Sequence, residues 1–439
     1  LLSRFDEGWS KRHRGVLTGV AVVVTSLTIS LGSNWNESVT LTGVFRQFGG
    51  NRTPPASFAE FQKIARSNKV LFYKEGASAS VGVIEHPIPG GTQNVLLING
   101  KADASSVGDL PTQVLLAQVP MMFHPRPDTV LVIGFGSGVT VGSVLTHPAK
   151  LVESVEISPE VIAASKHFEH VNNRPLADAR VRLYVDDALA YLKLATTNYD
   201  VIISEPSNPW IAGIGNLYST EFFEVCKSKL KSRGLMVQWF HLYEVDDETF
   251  RLVVRTFLSV FPHVIVWQSL STDILLVGST EALSLDENML VAKLKIEKVK
   301  ADLARIQISD PATLLSLQMI SEGPVREYAS SGPLNTEDKP LLEHWAPKAF
   351  FVNRGVTELN RFDERRIFGR SDLLLDQMLA KRRLTDEERL NIGMLHAEQN
   401  RGISSIAYSM LSDFLASHPK DTLTLDALSE LCDRLGLPE

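Results

Sequence analysis

The sequence predicts an α/β protein: a doubly wound, mainly parallel sheet, preceded by a small antiparallel β domain and followed by a helical extension. Three observations predict it. Thr129–Thr140, TVLVIGFGSGVT, reads as a buried strand running straight into a glycine-rich turn. Three more strands follow, each ending in an acidic loop. Residues 69–101 upstream alternate in strand fashion, and residues 372–439 downstream read as helices.

The first strand is apolar on both faces from Val130 to Ile133, as suits a parallel strand covered on both sides. Gly134, Phe135, Gly136, Ser137 and Gly138 then break it, and glycines let backbone approach a ligand closely. A helix is expected from about Val139, its N–H groups aimed over the loop. Leu151–Ile157 is a second strand ending in Glu156, about 20 positions after the glycines, where an acid suits ribose hydroxyls. Pro159–Phe168 reads as a helix. Val181–Val185 is a third strand, followed by Asp186, Asp187 and Ala188. Tyr199–Ser204 is a fourth, delivering Glu205-Pro-Ser-Asn-Pro-Trp210. Ligands of open α/β sheets bind outside the carboxyl ends of the strands, so these loops should converge on one pocket. Any single acid is more simply a helix cap; the ordered set is what points to a site.

The flanks follow the same logic. Pro54–Asn68 is expected to be a helix with Phe58, Phe61 and Ile64 on one face, after a connector at Trp35–Gly50. Residues 69–101 form a small sheet with a turn at Gly90-Gly91. Leu110–Met122 is a helix entering the main domain. Gly213, Gly215 and Asn216 suit a lid, which Tyr218 could line, or an ordinary polar loop. Thr220–Lys231 is a helix and Gly234–Phe240 a core strand delivering His241, either a substrate contact or a capped surface histidine. Thr249–Val260 is a helix, and Val264–Trp267 with Ile274–Gly278 a closing antiparallel pair. Residues 281–331 read as mainly helical.

Bulk properties exclude some classes. The 439 residues, 44% apolar, suffice for two or three domains with real cores. A net charge of −7 argues against nucleic acid as the main partner. Cys226 and Cys432, far apart, suggest neither a disulfide framework nor a zinc site, and no metal is expected.

In order along the chain, NGKADAS, DLPTQ, HPRPDTVLVIGFGSG, VEISPEVI, VDDALAYL and YDVIISEPSNPW resemble the spermidine synthase family of aminopropyltransferases. The resemblance spans about residues 68–280 and points to bacterial spermidine-synthase-like proteins fused to a membrane segment. It implies a small N-terminal β domain that helps form homodimers, then a methyltransferase-like (Rossmann-like) domain. It implies binding of decarboxylated S-adenosylmethionine and transfer of its aminopropyl group to an amine or polyamine acceptor. By resemblance, Gly134, Gly136, Ser137 and Gly138 form the loop over the nucleoside and Glu156 holds the ribose. Asp187, with Ala188 beside it, contacts the adenine, and Gln113 lies against the nucleoside. Glu205 stands where the family places its general base, with Asn208 helping to orient the amine. Asp109, Thr112, Tyr218, His241 and Asp338 are further substrate candidates. Asn335-Thr-Glu-Asp-Lys-Pro340 and Glu343 resemble a segment that returns to the pocket in the fused members.

The departures are informative. Ser137 replaces the loop Asp that would pair with the free ammonium of the aminopropyl donor. An attraction for the decarboxylated donor and a repulsion against a donor carboxylate are lost together, which favours intact S-adenosylmethionine. The base loop keeps one acid, lengthened to Glu205, and has Asn208 in place of the second; Thr112 replaces a tyrosine. A dicationic diamine binds best among several acids and aromatics. The polyamine site is therefore expected to be weaker than the nucleoside site. A methyltransferase using intact S-adenosylmethionine is the alternative enzyme, and a non-catalytic nucleoside-binding or assembly module is the alternative outside catalysis.

Residues 15–32, GVLTGVAVVVTSLTISLG, carry no charge, and such a helix spans about 27 Å. Membrane attachment through this stretch is expected, with Lys11, Arg12, His13 and Arg14 on the cytoplasmic side. A signal peptide lacks its small-residue cleavage site, and a buried segment is the other alternative. That orientation conflicts with the cytoplasmic supply of adenosyl donors; the expectation is bacterial inner-membrane association, the side of the catalytic domain open from the one helix and cytoplasmic from donor supply. The chain does not begin with methionine and is expected to be a piece of something longer or a processed product. The expected domains are 1–34 juxtamembrane, 35–108 β domain, 109–350 catalytic domain and 351–439 helical extension. Within the last, Ile406–Leu415 and Thr422–Leu435 resemble a tetratricopeptide-type hairpin, which must pack on something to bury its faces.

Overall fold

The computed structural model describes residues 11–32, 37–43, 55–351, 355–359, 364, 371–398 and 403–436. After the short helix Phe58–Ala65, strands β1 (Lys69–Glu75), β2 (Ser80–Ile88), β3 (Gly91–Ile98) and β4 (Lys101–Ser105) make a four-stranded antiparallel sheet in that order. Asn99 and Gly100, with φ of 51° and 77°, form the tight turn between β3 and β4. Two consecutive left-handed residues match the twist of a hairpin, which is why Asn-Gly serves there. This turn aims Lys101 and Asp103 at the neighbouring domain.

The main sheet has eight strands: β5 (Thr129–Ile133), β6 (Leu151–Glu156), β7 (Val181–Val185), β8 (Tyr199–Ser204), β9 (Leu230–His241), β10 (His263–Leu270), β11 (Asp273–Ser279) and β12 (Gln318–Ile320). Their order is β12-β10-β11-β9-β8-β5-β6-β7. The run from β9 to β7 is parallel, and β11, β10 and β12 add antiparallel to its edge. From β5 the chain winds outward through β6 and β7, then returns to the other side at β8. The switch point thus lies between β5 and β8, where doubly wound sheets open a crevice.

Both faces are covered. Helix Leu110–Phe123 is buried from Pro111 to Phe123 on one face of the sheet, as an apolar sequence with almost no amphipathic bias requires. Helices Thr220–Lys229 and Asp247–Val260 bury Phe222, Phe223, Phe250 and Phe257 in the opposite core. Leu374, Met378, Ile392 and Leu395 join the core that contains Leu116 and Val132. The helical extension therefore continues the main core across 371–398, and the hairpin Ser404–Ser417/Thr422–Leu435 packs against it.

The expected membrane helix over 15–32 finds no support. A helix Lys11–Gly32 forms there, but no helix among the described residues is long and apolar enough to cross a membrane. Thr18, Gly19, Thr25 and Ser26 interrupt the apolar run, and a charge-free length of about 27 Å falls short of a bilayer core.

One buried polar residue fastens the C-terminal part to the loops over the sheet. Asn335, 1% exposed, donates its amide to the carbonyls of Gly215 (3.0 Å) and Tyr218 (3.1 Å). It accepts from Leu342 N at 3.0 Å, and its own carbonyl accepts from Thr220 N at 2.9 Å. Leaving these buried partners unpaired is costly. Asn335→Ala is expected to lower stability by ~2–4 kcal/mol in denaturant titration. It should also raise hydrogen exchange first in residues 211–219.

Candidate functional site

The carboxyl ends of β5, β6 and β8 are drawn together by backbone. Gly134 N donates to Val155 O and Glu205 N to Ile133 O, both at 2.9 Å. Gly134 has φ +87°, and a Cβ there would lie 2.4 Å from Glu205 O. Only glycine lets these loops approach so closely. Glu156, 8% exposed, completes the junction. Its carboxylate accepts from Phe135 N and Ser158 N, each at 2.9 Å. Burial pushes its pKa up against those hydrogen bonds.

These ends form the floor of a cavity of about 740 Å³, a size that accommodates a nucleoside with a second small ligand. Of the residues singled out in the sequence, Asp109, Thr112, Gln113, Gly134, Gly136, Ser137, Glu156, Asp187, Ala188 and Glu205 line it. Gln113 reaches across from helix Leu110–Phe123. Its amide nitrogen donates to Ser105 O at 3.0 Å and its oxygen accepts from the Ser137 hydroxyl. Asp187 is exposed, and one of its oxygens caps the next helix by accepting from Ala190 N at 2.8 Å. Thr112 pairs its hydroxyl with Ser269 at 2.9 Å.

Glu205 has the strongest electrostatic signature. Burial pushes its pKa up to about 8, and the charges of Asp109, Asp273 and Asp103 add to the rise. The Thr140 hydroxyl, 2.6 Å from Oε2, opposes it. Asp109, also pushed up by burial, faces the same space.

Five candidates fall outside the cavity lining. Gly138 (φ +81°) starts helix Val139–Val144, packed against Asn172, Phe135 and Pro175. Asn208 is fully buried, with its amide 3.3 Å from the Tyr243 hydroxyl. Tyr218 is buried in the core and donates to Trp239 O at 3.2 Å. His241 is buried against Trp210 and Tyr243, with ring centroids at 4.6 and 4.7 Å. Asp338 is exposed away from the cavity.

Three cavity-lining residues carry no sequence signal of their own. Asp273, at the start of β11, accepts from Trp239 Nε1 at 2.8 Å and from the Thr272 hydroxyl at 2.6 Å. Burial pushes its pKa up to about 6. Trp239 and Tyr243 line the same end. Acids and aromatics therefore also reach the cavity from β9, β11 and their loops, remote from the glycine motif. Asp103, which the motif NGKADAS contained without a role, accepts from Ser207 Oγ at 3.1 and 3.0 Å.

Residues 206–217 form one wall of the cavity, including Pro206, Ser207, Ile211 and Leu217. The wall is fastened from outside. Gly213 N donates to Glu343 Oε1 at 3.1 Å, and Trp210 stacks on Phe350 at 5.0 Å.

Residues 110–272 match the family profile of the spermine/spermidine synthase domain. The chain is 27% identical over 200 residues to the polyamine aminopropyltransferase of Thermotoga maritima, covering 45% of this chain and 66% of the relative. It is 31% identical over 164 residues to the spermidine synthase of Dictyostelium discoideum, covering 36% of this chain and 57% of that protein. It thus spans less than two thirds of the length of either. A crystal structure of Thermotoga maritima spermidine synthase aligns over 65% of this chain and 88% of its own, at 20% identity and a TM-score of 0.43. Residues 110–272 thus carry a spermine/spermidine synthase domain, the part of this chain that it shares with these relatives.

Proposed function

We propose that the chain is a transferase that moves an aminopropyl group from an adenosyl sulfonium donor to an amine acceptor. The donor lies along Gly134–Ser137, Glu156 and Asp187; the acceptor lies towards Asp109, Asp273, Trp239 and Tyr243. The observation that carries the reading is Glu205: a half-buried carboxyl lining the cavity beside the glycine loop, whose desolvation, together with the charges of Asp109, Asp273 and Asp103, pushes its pKa up to about 8. A general base serves best when its pKa lies near the working pH. The spermine/spermidine synthase domain supports the same chemistry.

The step is an in-line displacement. The amine lone pair attacks the propyl carbon next to sulfur. The C–S bond breaks with its electron pair on sulfur, leaving a neutral thioether, and the new ammonium gives its proton to Glu205. Positioning supplies most of the acceleration, and no covalent enzyme intermediate is needed. A bound sulfonium cation draws Glu205 towards its carboxylate form, preparing it to accept that proton.

Methyl transfer from intact S-adenosylmethionine remains the second reading, because Ser137 places a neutral hydroxyl, tied to Gln113, where an acid would repel a donor carboxylate. The homodimer implied by the family belongs to the proposal as well.

Four outcomes test this. Glu205→Gln should lower kcat by ~10²–10⁴-fold and abolish the rise of rate with pH towards about 8, while donor binding survives. The same variant should melt higher at pH 8. The native carboxyl keeps its proton up to about 8, whereas the unfolded chain loses it near 4.5, so wild-type stability falls across that window and the amide removes the loss. Thr140→Val deletes the hydrogen bond that favours ionised Glu205 and should move the rising limb of kcat/KM to higher pH. Glu156→Ala and Asp187→Ala should each weaken nucleoside binding by about tenfold in calorimetric titration. Unchanged affinity in both would mean that the donor lies elsewhere.

A further inference from the structure

The cavity contains a cation that the proposed chemistry does not use. Lys101 lines it, and its ammonium pairs with Asp103. The two side chains are 9% and 11% exposed. Asp103 also accepts from Ser207 of the Glu205 loop. The charge of Lys101 is felt at Asp109 and Asp273, and that of Asp103 at Glu156 and Glu205. The pair thus lies inside the same cavity and is tied to the loop that carries Glu205.

A buried lysine in a site for plain amines is unfavourable. Burying its charge is unfavourable before pairing, and that charge repels the ammonium groups of a diamine. Asp109, Glu205 and Asp273 already supply the carboxyls that an amine needs. An ammonium beside a carboxylate is instead complementary to a ligand carrying a carboxylate beside an ammonium. Neutral Ser137 adds no repulsion against such a carboxylate.

Resting on the adenosyl-sulfonium reading, we propose that the Lys101–Asp103 pair recognises an α-amino acid head group, Lys101 taking the carboxylate and Asp103 the ammonium. The head group belongs either to a donor that keeps its carboxylate or to an amino-acid acceptor. Lys101 then sets specificity by charge, admitting carboxylated ligands and excluding simple diamines.

Matched ligands that differ by one carboxylate test this on the full chain. The donors are S-adenosylmethionine and its decarboxylated form, titrated calorimetrically. The acceptors are ornithine against putrescine and lysine against cadaverine, assayed for turnover with whichever donor binds. The wild type is expected to prefer the carboxylated member of at least one pair by about tenfold. Lys101→Met should erase that preference, and Lys101→Arg should keep it within about threefold. A preference among donors assigns the head group to the donor, and one among acceptors assigns it to the acceptor. Wild-type preference for the decarboxylated member of every pair would overturn the assignment while leaving the transferase reading intact. So would a Lys101→Met variant that binds donor and changes both members of each pair alike. Binding of neither donor to the wild type would overturn both.

Discussion

The close approach of Gly134 to the Glu205 carbonyl is the constraint on which the site depends. A Cβ at this position would sit 2.4 Å from that oxygen, so the absence of a side chain is what lets β5 and β8 deliver their loops to one point. Glu156 then ties the third strand end to the same junction through Phe135 N and Ser158 N. The parallel core beneath, Val130–Ile133 against Val201–Ser204, fixes register, and register fixes which residues emerge at the carboxyl edge. A glycine, two acids and a strand order thus produce a floor with backbone N–H groups and carboxylates facing one space.

The electrostatics follow from enclosing that floor. The small sheet brings Asp103 and Lys101, helix Leu110–Phe123 brings Asp109, and β11 brings Asp273. Each carboxyl that loses water and faces others becomes harder to ionise, which is why Glu205, Asp109 and Asp273 are all pushed up. Such a site is unfavourable when empty and favourable when a cation enters. A sulfonium and an amine are the cations that the proposed reaction would bring. The C-terminal segment contributes mechanically: Asn335, Glu343 and Phe350 hold the wall at residues 210–218 in place.

Much of this was legible in the sequence because it is local. The strand-to-glycine transition, the acids at strand tips and the Gly90-Gly91 turn are encoded within a few residues of where they act. Asp273, Trp239 and Tyr243 were not legible. Their role arises from an antiparallel strand, β11, placed beside β9 by long-range pairing, and no spacing in the sequence reports that. Tyr218 and His241 show the converse. Both follow a lid or strand edge in sequence, yet both turn into the aromatic core, and the inward direction of a side chain leaving a strand is set by what packs above it. Lys101 and Asp103 stood in a quoted motif without a role, because alternation along β4 does not reveal which face meets another domain.

The proposed reaction breaks the bond between sulfur and the propyl carbon of an adenosyl sulfonium. The most direct measurement is the nucleoside co-product of turnover, separated by chromatography and identified by mass. Scission at the propyl carbon leaves methylthioadenosine, which the account predicts, in amounts equal to the alkylated amine. Scission at the methyl carbon would leave S-adenosylhomocysteine from an intact donor; finding that product, or no cleavage in the presence of donor and any amine, would contradict it.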